Sequence, residues 1–257
     1  MEYLIICTVA FLGSLLTLFS GFGLGTILVP VFGLFFPIEI AISLTAIVHF
    51  LNNLFKLSLL GSFADKSTLI RFGIPSFLAA FLGAYVLKSL AGMEPVYQYF
   101  FNDKLVEVVP VKLIIAILLI IFSLFELIPA LTKLNFDKKY LIPGGLLSGF
   151  FGGLSGHQGA LRTAFLIRAG LTKEAFIATG VVIACMTDIS RLTVYLNQMV
   201  GYQQYFNLYL MIAATLSAFG GAWLGKRLMK STTLLSIQFL VAILMIIFAI
   251  LLGAGLI

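Results

Sequence analysis

Charged residues are scarce in this sequence. Only 10% of its 257 residues are Asp, Glu, Lys or Arg, against roughly 25% in an ordinary soluble domain. Hydrophobic residues make up 61%, and the mean hydropathy is +1.14. This composition excludes a soluble globular domain and predicts a polytopic membrane protein. We expect residues 1–19, which carry Glu2 and no basic cluster, to belong to the structure and not to a cleaved leader.

Cysteine is almost absent too, and so are the motifs of several enzyme classes. Cys7 and Cys185 lie in apolar segments without metal-ligand spacing, so we expect buried thiols and no metal site. The sequence contains no nucleotide-binding loop, no zinc-protease motif and no paired nucleophile of known form. It therefore predicts no catalytic residue, no cofactor and no ATP hydrolysis. Any transport would be driven by an ion gradient or by the substrate gradient itself.

A long internal repeat is the feature most informative about architecture. Residues 19–56 align with residues 154–191 without a gap, which pairs Asn53 with Asp188 and Lys56 with Arg191. Each copy begins where glycines interrupt a hydrophobic stretch. A duplicated membrane unit with a broken helix in each half is typical of secondary transporters, whose binding sites lie at the breaks. Small-residue patches at 82–84 and 220–222 extend the repeat and predict close helix packing.

Hydropathy predicts ten apolar segments, five in each half of the chain. They cover 2–19, 23–36, 38–60, 69–91 and 111–131, then 141–155, 158–170, 173–196, 205–229 and 233–257. The last three of each half reach the roughly 20 residues of a full span, whereas the first two are shorter. We predict an all-α membrane protein in which each half is a broken, re-entrant hairpin followed by three transmembrane helices. Irregular backbone at membrane depth has to line a cavity or be covered by protein.

The distribution of basic residues predicts that the second half is inverted relative to the first. If each hairpin enters and leaves on the same side, most basic loops share one side of the membrane, as the positive-inside rule requires. These loops contain Lys66, Arg71, Lys133, Lys138, Lys139, Arg168, Lys173, Lys226, Arg227 and Lys230. We expect a first repeat over 1–131, a linker over 132–140 and an inverted second repeat over 141–257. Together they form one transmembrane domain with both termini outside.

The two glycine turns, at residues 20–25 and 152–159, are the candidate binding site. Each turn places free backbone N–H groups at the start of a half-helix, where partial positive charge favours an anion. Tight helix packing is the alternative role for these glycines. Asp188 is a candidate for proton coupling. The candidate substrate-binding residues are Ser20, Gly21, Gly23, Asn53, Lys56, Ser155, Gly156, His157, Gln158, Gly159, Arg162 and Arg191.

Three basic residues make the predicted interior net positive, which favours an anion over a cation. Arg162 follows the second glycine turn within a short apolar half-helix, and its forked donors suit an oxyanion. Arg191 follows Asp188 by three residues, so a structural ion pair on one helix face fits the spacing equally well. Lys56 is close enough to its segment end to snorkel. Of the two histidines, we interpret that at residue 157 as a ligand and that at residue 49 as a packing residue.

Several glycine patterns together point to a known family. They are the turn 20–25 followed by Pro30, the turn 149–156, the helix start 172–175 and the patches 82–84 and 219–222. With these features the chain resembles the TauE/SafE sulfite exporter family, also called the four-toluene-sulfonate uptake permease (TSUP) family. The resemblance implies a proton-coupled transporter of sulfite, sulfonates or similar sulfur-containing anions, in the inner membrane of a bacterium. Family members often have more glycine where this chain has His157 and Gln158, so we expect these side chains to contact the substrate.

The leading hypothesis is a secondary transporter, expected to export a small sulfur-containing anion. Its expected partners are that anion and the lipid bilayer, without nucleic acid. A passive anion channel with the same site is one alternative, and a membrane sulfur-handling protein that uses Cys185 is another. A carrier of divalent cations is disfavoured, because acidic interior residues are nearly limited to Asp188. The sequence leaves open which anion is carried, in which direction, and whether two chains form a homodimer.

Overall fold

Helices make up most of the structure, which is a computed structural model describing residues 1–17, 23–132, 134–199, 205–228 and 235–257. The first half contains α1 (Glu2–Thr17), α2 (Leu24–Gly33), α3 (Ile38–Leu60), α4 (Lys66–Thr68), α5 (Ile74–Ala91), α6 (Pro110–Leu127) and α7 (Pro129–Thr132). A π-helical turn, Leu69–Gly73, joins α4 to α5. The second half contains α8 (Leu141–Ser155), α9 (Gly159–Leu166), α10 (Lys173–Met199), α11 (Leu208–Leu228) and α12 (Leu235–Gly253).

The architecture is that of an all-α, multi-pass membrane protein, as predicted. Within the described residues, four stretches are long and apolar enough to cross a membrane: Ile38–Ser58, Lys66–Ala91, Lys173–Leu196 and Leu208–Arg227. Each of the ten predicted segments contains a helix, with 69–91 falling on the continuous run from α4 to α5. The fifth helix of each half, α6 or α12, ends four residues before the predicted segment does, at Leu127 and Gly253.

Helices from the two halves pack in reciprocal pairs. The first helix of the first half, α1, packs on α11, and the first helix of the second half, α8, packs on α5. The long helices α3 and α10 pack on each other, and so do α6 and α12. Every one of these pairs joins an element of the first half to an element of the second.

Glycines allow the reciprocal pairs to approach at backbone distance. A Cβ added at Gly83 of α5 would lie 2.0 Å from the carbonyl oxygen of Phe150 in α8. A Cβ added at Gly221 of α11 would lie 2.1 Å from the carbonyl oxygen of Phe11 in α1. No side chain fits at such distances, so the prediction of close helix packing at patches 82–84 and 220–222 is confirmed.

A β-hairpin between α5 and α6 is an addition that the sequence analysis did not predict. Strand β1 (Tyr97–Phe101) pairs antiparallel with β2 (Lys104–Val108). The turn residues Asn102 and Asp103 both have positive φ, of 48° and 60°, as a tight two-residue hairpin turn requires. The Tyr99 hydroxyl donates a hydrogen bond of 2.8 Å to the Ala254 carbonyl oxygen, which holds the hairpin against the end of α12.

The largest buried apolar cluster lies between α3, α5, α6, α10 and α12. It includes Ile42, Leu87, Ile115, Tyr195 and Met245, each at most 2% exposed. Many large apolar side chains on the outer surface are instead exposed, as a surface that contacts lipid requires.

Candidate functional site

The second glycine turn interrupts the helical backbone in the interior. Helix α8 ends at Ser155, and Gly156 follows with φ of +82°, a left-handed conformation that favours glycine. Helix α9 begins three residues later, at Gly159. The Ser155 hydroxyl donates to the Phe151 carbonyl oxygen of its own helix at 3.1 Å. The Tyr195 hydroxyl of α10 donates a short hydrogen bond to the Gly153 carbonyl oxygen, which fixes α8 just before the turn.

The first glycine turn lies beside the second. Gly23 has an extended backbone, and α2 begins at Leu24. At the second residue of α2, a Cβ added at Gly25 would lie 3.5 Å from the Gly156 carbonyl oxygen. The two turns therefore approach each other inside the bundle. The candidate residues Ser20 and Gly21 lie outside the part of the chain that the structure describes.

A cavity of about 50 Å³ extends from the first turn toward the face where α9 ends and α10 begins. Four candidate residues line it: Gly23, Asn53, Lys56 and Arg162. These four residues are called the cavity group below. Leu166 near the end of α9 and Phe176 and Ile177 near the start of α10 also line the cavity.

Two basic side chains of the cavity group have no anionic partner among the described residues. Lys56 is 5% exposed and makes no hydrogen bond or ion pair with any described residue. The buried Nη1 of Arg162 likewise has no hydrogen-bond partner in the described structure. None of the described residues that line the cavity is acidic. The cavity therefore offers positive charge and free N–H donors without a protein carboxylate to satisfy them.

Asp188 lies behind the cavity wall and is fully paired. Its Oδ1 accepts hydrogen bonds from Arg191 Nε at 2.9 Å and Nη2 at 2.6 Å. Its Oδ2 accepts a hydrogen bond of 2.7 Å from His49 Nδ1 and a longer one of 3.4 Å from Asn53 Nδ2. The structural ion pair that the spacing of residues 188 and 191 allowed is therefore present.

His49 has a partner and a position that the sequence analysis did not predict. It lines the cavity and donates to Asp188 across the interface between α3 and α10. Thr17, Thr163 and Gly180 also line the cavity without having been predicted. A Cβ added at Gly180 would lie 3.5 Å from Arg162 Nε, so this glycine leaves room for the guanidinium. A glycine within a long apolar helix is the signal that could have indicated this close approach.

The remaining candidate residues, at the second turn, do not line the cavity. They are called the enclosed group and comprise Ser155, Gly156, His157, Gln158, Gly159 and Arg191, all of which are buried. Several of their polar atoms lack a hydrogen-bond partner in the described structure, namely His157 Nε2, both amide atoms of Gln158, and Arg191 Nη1. The structure thus divides the predicted site into two groups.

The His157 ring has a defined orientation within the enclosed group. Its Nδ1 donates to the Ser155 carbonyl oxygen at 2.9 Å, and its ring stacks on Phe122 of α6 with centroids 5.8 Å apart and planes 9° apart. Because a carbonyl oxygen can only accept, Nδ1 carries the hydrogen. In the neutral ring Nε2 is then an acceptor, and it becomes a donor to an anion only when the ring is protonated.

Comparison with known proteins gives one family. The sequence model of the family described as "Sulfite exporter TauE/SafE" matches residues 6–252. The match contains both glycine turns, the cavity group and the enclosed group. No curated protein matches the sequence significantly.

Proposed function

The chain belongs to the sulfite exporter TauE/SafE family, and from this membership we propose that it is a secondary transporter of a small sulfur oxyanion. The family points to a membrane exporter of sulfite or a related sulfur anion. The proposal adds a binding site, which is the cavity group with Lys56 and Arg162 as the anion's main ligands. Gly23 contributes the start of α2, where free backbone N–H groups face the cavity.

The unpaired charges at the cavity are the observation that carries this proposal. A charged side chain within a membrane protein is costly and normally finds a partner. Asp188, Arg191 and His49 satisfy one another, whereas Lys56 and Arg162 share a cavity that no described acidic residue lines. An anion that enters the cavity supplies the missing negative charge.

The size of the cavity favours an inorganic anion over an organic sulfonate. A cavity needs a volume of about 10–15 Å³ to hold one water molecule. The cavity of about 50 Å³ therefore accommodates a group of only a few heavy atoms. Sulfite has four heavy atoms and three hydrogen-bond acceptors. We propose sulfite, or an oxyanion of similar size, as the substrate.

We propose that the two halves are inverted repeats with re-entrant hairpins at α1–α2 and α8–α9. The reciprocal helix pairs support this arrangement, because exchanging the two repeats turns the pair α1–α11 into the pair α8–α5. The equivalent residues Asn53 and Asp188 also contact each other. A residue that touches its own repeat equivalent lies next to the symmetry axis, which in an inverted repeat lies in the plane of the membrane.

The orientation and the energy source complete the proposal. We propose that the cavity opens where α9 ends and α10 begins, because Leu166, Phe176 and Ile177 line it there. The exposed basic residues Arg168 and Lys173 lie in the same connection. The positive-inside rule then supports a cytoplasmic mouth, an inner-membrane location in a bacterium and both termini outside. We propose proton coupling through Asp188 and His49, because their hydrogen bond joins the two halves beside the cavity.

Anion-induced thermal stabilisation of the purified protein tests the site. Sulfite, thiosulfate, sulfate and methanesulfonate are compared on the wild type and on Arg162→Ala, with Arg168→Ala as the control for a basic residue outside the cavity. We expect sulfite to stabilise the wild type and the control, and to lose its effect on Arg162→Ala without a change in folding. Equal stabilisation of the three proteins would refute the role of Arg162. Uptake of sulfite into proteoliposomes that saturates and responds to a pH gradient excludes a passive channel.

A further inference from the structure

We infer that Arg191 and Gln158 form a second anion half-site, which the transported anion occupies when the protein opens toward the opposite face. The half-site is enclosed in the present structure. The inference rests on the proposed transport function and adds to it a second set of ligands, distinct from the cavity group.

Unpartnered polar atoms are the first line of evidence. Arg191 Nη1 and Gln158 Nε2 are buried donors without a hydrogen-bond partner in the described structure, on side chains that are 0% and 1% exposed. Buried donors in native proteins nearly always have a partner, so an unpartnered one requires an explanation. Asp188 engages only Nε and Nη2 of Arg191, which leaves the third nitrogen of the guanidinium directed elsewhere.

The free nitrogen of Arg191 is directed at the second glycine turn. A Cβ added at Gly156 would lie 2.8 Å from Arg191 Nη1. This nitrogen therefore faces the space that a side chain at residue 156 would fill. Gln158, two residues after Gly156, is the N-cap residue of α9, so its amide and the N-terminus of α9 belong to the same turn. An anion placed there would meet an arginine, an amide and a helix N-terminus together.

The internal repeat assigns the same role to both sets of residues. In the alignment of 19–56 with 154–191, Arg191 is equivalent to Lys56 and Gln158 is equivalent to Gly23. Lys56 and Gly23 both line the open cavity. The rotation that exchanges the two halves therefore carries residues of the cavity group onto residues of the enclosed group.

A surface depression lies where the second mouth is required. It has a volume of about 580 Å³ and is lined by the end of α2, the start of α3 with Glu39, and the start of α6 with Lys112. The end of α2 and the start of α3 are the repeat equivalents of the end of α9 and the start of α10, which line the cavity of the cavity group.

An apolar layer separates this depression from the half-site. Ile38 and Val111 line the depression and belong to the same buried cluster as Leu154 and Tyr195, which flank the second turn. Tyr195 also donates to the Gly153 carbonyl oxygen, which holds α10 against α8 at this level. Opening toward the opposite face has to part these contacts, and the anion then meets Arg191 and Gln158.

Half-saturating sulfite concentrations, measured separately at the two faces, test the inference. Sulfite transport is recorded in proteoliposomes of defined orientation, at the face of Arg168 and Lys173 and at the opposite face. The variants Arg191→Lys and Gln158→Ala remove half-site donors, and Arg191→Lys retains a charge beside Asp188. Lys56→Gln removes the equivalent ligand of the cavity group. Gln98→Ala, at an exposed glutamine of the β-hairpin, is the matched control.

We expect opposite effects of the two kinds of variant. Arg191→Lys and Gln158→Ala raise the half-saturating concentration at the opposite face at least 5-fold, on the order of one lost hydrogen bond to a charged group. At the face of Arg168 they change the half-saturating concentration less than about 2-fold. Lys56→Gln has the reverse pattern. Unchanged affinity at the Arg168 face also shows that the half-site variants remain folded.

Two distinct results would overturn the claims. If the wild type neither binds nor transports sulfite or the other sulfur oxyanions, the proposed function fails. If the wild type transports sulfite and Lys56→Gln has its expected effect, but Arg191→Lys and Gln158→Ala leave the opposite-face value unchanged, only the second half-site is refuted. The same applies if these two variants weaken both faces equally.

Discussion

The two halves place a basic residue at the same repeat position in different surroundings. Lys56 lies at the cavity without a partner among the described residues, whereas Arg191 donates two hydrogen bonds to Asp188. The difference originates one turn earlier, because the repeat equivalent of Asp188 is Asn53. A neutral amide cannot compensate a cation. One change from carboxylate to amide therefore decides which of these two equivalent basic residues has an ion pair among the described residues.

The largest expected effect comes from making the second half resemble the first. Asp188→Asn removes the carboxylate that both Arg191 and His49 contact. Breaking a buried ion pair by removing one partner costs about 3–5 kcal/mol, because the remaining charge is uncompensated. We expect a matching fall in the free energy of unfolding, measured by denaturation in detergent. An unchanged stability would show that Arg191 has another acceptor.

Lys56→Met removes the unpaired basic residue of the first half and leaves the ion pair of the second half intact. No described carboxylate loses a partner, so we expect no loss of stability. Charge-assisted hydrogen bonds contribute about 1.5–3 kcal/mol, so sulfite binding should weaken about 10- to 150-fold in titration calorimetry. Lys66→Met, at an exposed lysine outside the cavity, is the control. A stability loss as large as that of Asp188→Asn would contradict the assignment of Lys56 as an unpaired charge.

The third comparison concerns the close helix pairs α5–α8 and α1–α11, which should be equivalent if the two halves are repeats. Gly83→Ala and Gly221→Ala each place a Cβ about 2 Å from a carbonyl oxygen of the partner helix. Overpacking of this kind costs about 1–3 kcal/mol, and we expect similar losses for the two variants in thermal denaturation. Gly92→Ala is the control, since a Cβ there would meet nothing within 4 Å. Loss in only one of the two would indicate that the crossings are not equivalent.

The smallest expected effect concerns two helix N-caps with different chemistry. Asp65 accepts a hydrogen bond of 2.7 Å from the Thr68 backbone N–H. Hydrogen bonds from the Thr68 side chain and backbone lower the pKa of the Asp65 carboxyl group. Thr172 accepts one from the Ala175 N–H at 3.2 Å. Replacing either cap by alanine should cost about 0.5–2 kcal/mol. The cost for Thr172→Ala should not depend on pH in the acidic range.

The pH dependence separates the two caps. Because the pKa of folded Asp65 lies below its ordinary value of 3.8, its contribution is complete above that pH and is lost as the pH falls through the folded pKa. The stability difference between the wild type and Asp65→Ala should therefore shrink below pH 3.8, while that for Thr172→Ala stays constant. Thermal denaturation at a series of pH values checks this, and a constant difference for both would contradict it.

Hydropathy and the repeat predicted most of the helical architecture. Long apolar stretches leave little choice of structure in a membrane, since only a helix satisfies its own backbone, and the breaks at Gly156 and Gly23 coincide with local glycine patterns. The hairpin at 97–108 was missed because an apolar context hides a strand pattern, although Asn102-Asp103 between aromatic and β-branched residues is a turn signal.

The candidate site was predicted less completely than the fold. Local context identified Arg162 and Lys56, because a charge in an apolar segment is unusual wherever it lies. His49 has no such local signal for its partner, since Asp188 lies in the other half of the chain. The division of the candidate residues into a cavity group and an enclosed group depends on how the two halves pack against each other, and a single sequence does not give that packing.

The carboxylate at residue 188 makes a duplicated protein chemically one-sided. In the proposed transporter, an anion beside Arg191 competes with a resident negative charge, and an anion beside Lys56 does not. Two binding sites of unequal affinity on one transport path hold the anion for unequal times. The transport rate therefore differs between the two directions at equal anion concentrations. The equilibrium still follows the gradients. A duplicated protein can thus transport at different rates in the two directions because of one acidic side chain.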